Sequence, residues 1–262
     1  MHDYETILIE RSEAGVVQVT LNRPGKKNAI NDAMWSELGD VFTSLRRDSQ
    51  ARVVVLTGAG DGFCSGADLS SPQGNEVRPH ILAKMRQVAD VAMMLQGLPQ
   101  PAIAKVNGVA AGAGCNLALA CDLIVASDRA QFSEIFARRG LSVDFGGSWL
   151  LPRLIGLHKA KQLAFFADVI DAAEAERIGL VNQVVPAAEL DGFVDDWAKR
   201  LCGTAPIAIA QTKALLNRSV GPSLSDLLEA EGAAQAVNVG TRDAAEALGA
   251  FLERRAPVFT GR

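Results

Sequence analysis

No basic run in this sequence is longer than a pair. Its 26 Lys and Arg stand against 30 Asp and Glu, a net charge of −4. Nucleic-acid backbones are bound by concentrated positive charge, so no nucleic-acid partner is expected. CxxC spacing is also missing: Cys64, Cys115, Cys121 and Cys202 are scattered among apolar or small neighbours. They read as reduced core residues, with neither a disulfide frame nor a metal site. No apolar run approaches the ~20 residues of a membrane span. The opening MHDYETILIE lacks the apolar stretch of a secretory leader, and the expectation is a cytoplasmic protein. Only three histidines occur: His2 in an N-terminal tail, His80 in a surface loop and His158 at a helix start. None adjoins a Ser or Cys nucleophile motif, which weighs against triad hydrolysis.

What is present is a globular composition: 262 residues, 48% hydrophobic and 21% charged, enough for one large core with or without a small appendage. The first half alternates strand-like and helix-like segments. Residues 16–21 are rich in β-branched side chains and end at the turn Asn22-Arg23-Pro24-Gly25. Residues 30–47 carry Ile30, Met34, Leu38, Val41, Phe42 and Leu45 at helical spacing. Segments 52–57 and 102–106 read as strands buried on both faces, and each enters a glycine-rich stretch, 58–62 and 107–114. A helix over 80–97 stops at Pro99 and Pro101; a short helix at about 115–121 and a strand over 122–126 follow. No internal repeat is visible. From Pro206 to Arg255 the sequence suits helices broken at Gly221-Pro222 and near Gly240. Residues 1–200 are therefore expected to form a mainly parallel α/β core, and residues 201–262 a helical region packed on the core or a neighbouring subunit.

Glycine lets backbone approach a ligand closely, and helix-start N–H groups favour negative charge. Two such loops suggest one site lined by backbone donors, although either could be a tight turn alone. A dinucleotide fingerprint is excluded, because Phe63 and Leu117 stand where its third glycine belongs, and neither loop has the Gly-Lys-Ser/Thr of a P-loop. The segments RPGKKNA (23–29), VVLTG (54–58), FCSGADL (63–69) and VNGVAAGAG (106–114) resemble, in order and spacing, those of the enoyl-CoA hydratase/isomerase (crotonase) superfamily. The resemblance runs to the C-terminal stretch ending at Phe259.

That resemblance implies an α/β crotonase (ClpP-like) spiral of ββα units with a C-terminal helical trimerisation region, acting on acyl-CoA thioesters. It implies that the N–H groups of Ala67 and Ala113 hold the thioester oxygen. Proton removal beside a thioester carbonyl places negative charge there, so fixed donors stabilise the enolate more than the substrate. It further places Lys26, Lys27, Ala29, Asp68, Leu69, Gly112, Asn116 and Phe136 around substrate or CoA, and lets Phe259 reach CoA in an adjoining subunit of a trimer or dimer of trimers. The lysine pair could instead be solvated, and Asp68 could structure its loop. No cofactor is implied beyond the CoA of the substrate, and no metal.

The family's hydratases activate water with two glutamates. Here Asn116 and Phe136 occupy those positions, which puts ordinary hydration in doubt. Asp144, ahead of Gly146-Gly147, stands where several isomerases of the family carry their aspartate, and the run 140–153 is most similar to the phenylacetate-pathway ring-epoxide and enoyl-CoA isomerases. One carboxylate suffices to move a proton between two carbons, and apolar neighbours would raise its pKa. The competing role for Asp144 is a helix N-cap. Glu134 could line the site or pair with Arg138 or Arg139. The expected activity is isomerisation with Asp144 as base. The alternatives are a hydratase with an unusual water site around Asp144 and Glu134, and a non-catalytic acyl-CoA-binding oligomer.

Overall fold

Alternating burial along the strands sets the architecture. A computed structural model describes residues 4–70 and 80–262. β1 (Ile7–Arg11) and β2 (Val16–Leu21) form an antiparallel hairpin. From β2 the sheet continues in parallel through β3 (Val53–Gly58), then β5 (Ala102–Val106), β7 (Leu123–Ser127) and β10 (Gln183–Val185). Val54 and Leu56 of β3 enter the main core, while Val53 and Val55 enter a second cluster with Leu190, Val194 and Ala198 of α6 (Leu190–Cys202). With both faces covered, β3 shows no polar alternation. α1 (Asp32–Arg46) packs its apolar stripe on the main core and is capped by Asn31, whose side chain accepts the Met34 N–H at 3.0 Å.

A second sheet consists of β4 (Gly62–Cys64), β6 (Val109–Ala111), β8 (Gln131–Ser133) and β9 (Ile170–Asp171). β4, β6 and β8 each follow a strand of the large sheet and precede a helix: α2 (Ile81–Gln96), α3 (Ala113–Leu119) and α4 (Gly147–Phe166). The chain thus winds through successive ββα units, as the crotonase resemblance implied. The second glycine-rich stretch contains a three-residue strand, β6, and the first runs into another, β4, both too short to carry a periodic signature; α3 begins at residue 113, ahead of the expected 115. Gly156, at φ 74°, breaks α4, so His158 stands at the start of its second half. His80 caps α2 by accepting the Leu82 N–H at 3.2 Å. The sequence of residues 70–82, mixed in composition, suggests a segment that shapes the acyl pocket; most of it, 71–79, lies outside the described residues.

α7 (Pro206–Arg218), α8 (Leu224–Val239) and α9 (Arg242–Glu253) form the C-terminal region. Lys213 fastens α7 to the core through Asp122 (2.7 Å) and the Gln100 carbonyl (3.0 Å). Arg52 donates to the carbonyls of Cys202, Thr204 and Phe259, and the buried Asp243 accepts the Thr260 and Gly261 N–H groups. The tail therefore folds back on its own core. All four cysteines are free thiols, three of them buried. No helix among the described residues is long and apolar enough to cross a membrane.

Candidate active site

Two backbone turns from adjacent ββα units meet. Gly112, at φ 54°, ψ −127°, adopts a conformation reserved for glycine. Its N–H donates to the Ser133 carbonyl at 2.8 Å, and Ala113 becomes the first residue of α3, buried at the helix start. Facing it is the 66–68 turn. Gly66 has φ 97°, and a side chain there would stand 2.8 Å from the Ala111 carbonyl oxygen and 3.7 Å from the Ala113 nitrogen. Ile30 N–H donates to Gly66 and Asp68 N–H to Ile30, fixing the Ala67 peptide between them. Neither Ala67 N–H nor Ala113 N–H donates to any acceptor among the described residues. Both are main-chain donors left over by the fold, Ala113 as a first-turn N–H group of a helix must be and Ala67 within its turn.

Asp68 braces this turn. It pairs with Arg23 at 2.8 Å and accepts from the Ser70 N–H and hydroxyl. Those Ser70 bonds first, then Arg23, hold its pKa down at about 2, which makes it a poor base. Arg23 also donates to the Ala29 carbonyl at 2.5 Å. The buried Asn28 amide spans the Ala59 and Gly62 carbonyls, tying segment 23–29 to the first glycine stretch. Lys27 pairs with Asp61 and Lys26 reaches Ser70 at 3.4 Å, so both lie on the rim of that turn; Leu69 beside them is 71% exposed. Phe259 lies elsewhere in the protomer. Its carbonyl bonds Arg52, at the end of β3 opposite the glycine turns.

The carboxyl groups gather around Asn116. This residue is fully buried, and its Nδ2 donates to the Asp144 carbonyl at 3.0 Å and to Glu134 Oε2 at 3.4 Å. It lies three residues after Ala113, about one helical turn along the same face. Asp144 is therefore fastened to the helix that supplies one of the donors. Its side chain is not a cap: Gly146 occupies the N-cap of α4 without a side-chain bond. Asp144 Oδ1 is buried and has no partner among the described residues, and desolvation pushes the carboxyl up to about 6. Phe145 packs on Trp35 at 5.4 Å between ring centres, and the Phe136 ring lies against Gly112, 3.7 Å from where a Cβ would stand. Residues directly after Asp144 (Phe145, Gly146, Trp149 and Leu150) line one wall of a cavity of about 880 Å³ that α2 and α7 complete.

The pairing of Glu134 with Arg138 or Arg139 is not formed. Arg138 turns to Asp168 at 2.6 Å, while Glu134 is 1% exposed with no cation paired to it among the described residues. Burial drives its pKa up to about 7; the adjacent Cys115 thiol and Asn116 amide pull it down, and Asp144 raises it further. Asn116, expected beside the substrate and at a position where the resemblance puts a hydratase glutamate, bonds both members of this pair. The sequence signal for it was slight: a polar side chain inside an otherwise apolar short helix. No cluster of three or more His, Cys, Asp or Glu among the described residues could hold a metal ion.

A profile of the enoyl-CoA hydratase/isomerase family matches residues 11–262. The 1,2-epoxyphenylacetyl-CoA isomerase of Escherichia coli is 35% identical over 258 residues, covering 97% of this chain and 98% of the relative. The short-chain-enoyl-CoA hydratase of Clostridium acetobutylicum is 36% identical over 255 residues, 97% of each. The crystal structure of an enoyl-CoA hydratase from Bacillus anthracis superposes with a TM-score of 0.93 at 33% identity, covering 98% of this chain and all of that one.

Proposed function

The chain belongs to the enoyl-CoA hydratase/isomerase family, and from that premise we propose that it is an acyl-CoA isomerase with Asp144 as its base. The thioester oxygen is held by the N–H groups of Ala67 and Ala113. Asp144 removes a proton from the acyl chain, the enolate is stabilised by the two donors, and the same carboxyl returns the proton two carbons along. Main-chain donors and one carboxylate complete this sequence without a metal, flavin or nicotinamide. A ring epoxide beside the thioester would use the same enolate cradle, in line with the name of the Escherichia coli relative. Lys26 and Lys27 on the rim suit the CoA phosphates.

The observation that carries this reading is Asp144: its carboxyl is desolvated and unbonded at Oδ1 among the described residues, and its main-chain carbonyl is anchored through Asn116 to the helix that starts at Ala113. A carboxylate engaged as a cap could not serve as a base. The test is Asp144→Asn. Double-bond migration in 3-enoyl-CoA should be abolished while thioester binding stays nearly intact; activity within a few-fold of wild type refutes the assignment.

Hydration is the second reading, favoured by the presence of another carboxyl, Glu134, at Asn116 and by the hydratase names among the relatives. Incubating 2-enoyl-CoA in heavy-oxygen water separates the two: efficient incorporation at the β-carbon indicates a hydratase. We also propose a homo-oligomer, a trimer or pair of trimers. Leu224, Leu228, Val239, Leu248, Phe251 and Leu252 of α8 and α9 are all more than half exposed, an apolar surface beyond what a monomer ordinarily leaves in water.

A further inference from the structure

Glu134 is a buried acid that the reaction above does not use, and its surroundings are unusual. It leaves β8 at the edge of the site and is 1% exposed. The groups facing it are Cys115 and Asn116 from α3 and Asp144 from the loop before α4; Cys64 of β4 lies behind Cys115. Within its own turn, Arg138 is committed to Asp168 and Arg139 is exposed. Three acceptor oxygens, Glu134 Oε1, Asp144 Oδ1 and Asn116 Oδ1, are buried without a partner among the described residues. Two ionised carboxylates in this setting would repel each other, with no cation paired to either among the described residues, so a proton kept by one of them relieves the repulsion.

We propose that Glu134 is a positioning residue that keeps the one proton of a Glu134–Asp144 pair, leaving Asp144 ionised and ready, and that fixes the Asn116 amide holding the Asp144 main chain. This rests on Asp144 being the base. The more deeply buried carboxyl keeps the proton because its charged form loses more hydration. Asp144, nearer the surface, carries the charge. The values of about 7 for Glu134 and about 6 for Asp144 follow the same order. Each turnover moves a substrate proton onto Asp144 and back, and the Glu134 proton stays in place. Once Glu134 also ionises, the enolate must form beside a carboxylate charge that the protonated Glu134 does not carry.

The test is the pH profile of kcat/KM for 3-enoyl-CoA isomerisation from pH 5 to 9. Wild type should be bell-shaped, with the acid limb set by Asp144 and the alkaline limb by Glu134. Glu134→Gln keeps an acceptor for Asn116 and a neutral side chain, so it should retain the acid limb and lose the alkaline one, running about tenfold faster than wild type one pH unit above that limb. Glu134→Ala, which also removes the Asn116 contact, should lower kcat throughout. A Glu134→Gln profile that overlays wild type, or a variant as inactive as Asp144→Asn, overturns the proposal. An active Asp144→Asn instead overturns the base assignment, so the two failures are distinguishable. Should Glu134→Gln fold poorly, carbon-13 NMR of carboxyl-labelled wild type reads the same proton. One glutamate carboxyl should titrate near neutrality, and ionisation of every glutamate below pH 6 refutes the idea.

Discussion

Glu134 should also make the stability of the fold fall with rising pH in a way one substitution removes. Burial lifts its carboxyl from an ordinary 4.5 to about 7, so the folded chain binds the proton more tightly than the unfolded chain does. For an acid raised in this way the stabilisation is complete below pH 4.5 and is lost as pH climbs through 7. Each pH unit between the two values is worth about 1.4 kcal/mol, so wild type should lose about 3 kcal/mol between pH 4.5 and 8 from this group alone. Glu134→Gln is isosteric with the protonated acid and should have no such slope. Urea unfolding at pH 5, 6, 7 and 8, at one protein concentration, gives the comparison. The two proteins should lie within about 1 kcal/mol at pH 5, and the variant should be more stable by about 3 kcal/mol at pH 8. Asp144 contributes to both curves and cancels to first order. Parallel curves, or a wild type more stable at pH 8, would show that Glu134 is ionised throughout and would refute the reasoning.

Two further substitutions probe the geometry of the site. Gly66→Ala forces a side chain to φ 97° and to 2.8 Å from the Ala111 carbonyl oxygen, which displaces the Ala67 N–H; kcat should fall on the order of 10²–10³-fold, the effect of losing one oxyanion donor, while circular dichroism stays unchanged. Gly147→Ala places a methyl 2.4 Å from the Asn116 amide oxygen; the variant should lose about 1–3 kcal/mol of stability, read by denaturant melts, together with most of its turnover as Asp144 loses its anchor.

The long strands and the amphipathic helices were legible in the sequence because burial writes itself there. β3 is a run of side chains with both faces covered, and α1 repeats its apolar stripe over four turns. The second sheet was not legible. Gly62–Cys64 and Val109–Ala111 are too short for alternation, and the glycines in and around them read as turns. α6 escaped too, because its three core contacts lie among acids and lysines. The two donors were reached through motif resemblance. Backbone N–H groups have no letter of their own, and Ala67 and Ala113 would be unremarkable in any other setting.

The carboxyl site divides along the same line. Asp144 is visible as an acid before a Gly-Gly helix start, yet the same pattern describes a cap, and only the N-cap at Gly146 separates those meanings. Glu134 was the harder case, because two nearby arginines offered it an exposed partner. Desolvation decides against them: a carboxyl at 1% exposure is controlled by its immediate surroundings, the hydrogen-bonding Asn116 and Cys115 and the nearby charge of Asp144. This also accounts for an amide at position 116. A third carboxyl there, fully buried and beside Glu134, would add a charge with no cation among the described residues to balance it, whereas an amide donates to Glu134 and to the Asp144 main chain at once. Asn116→Asp, close in shape, tests that statement: it should be more destabilising than Asn116→Ala above neutral pH, and less so at pH 5, where the added carboxyl is protonated.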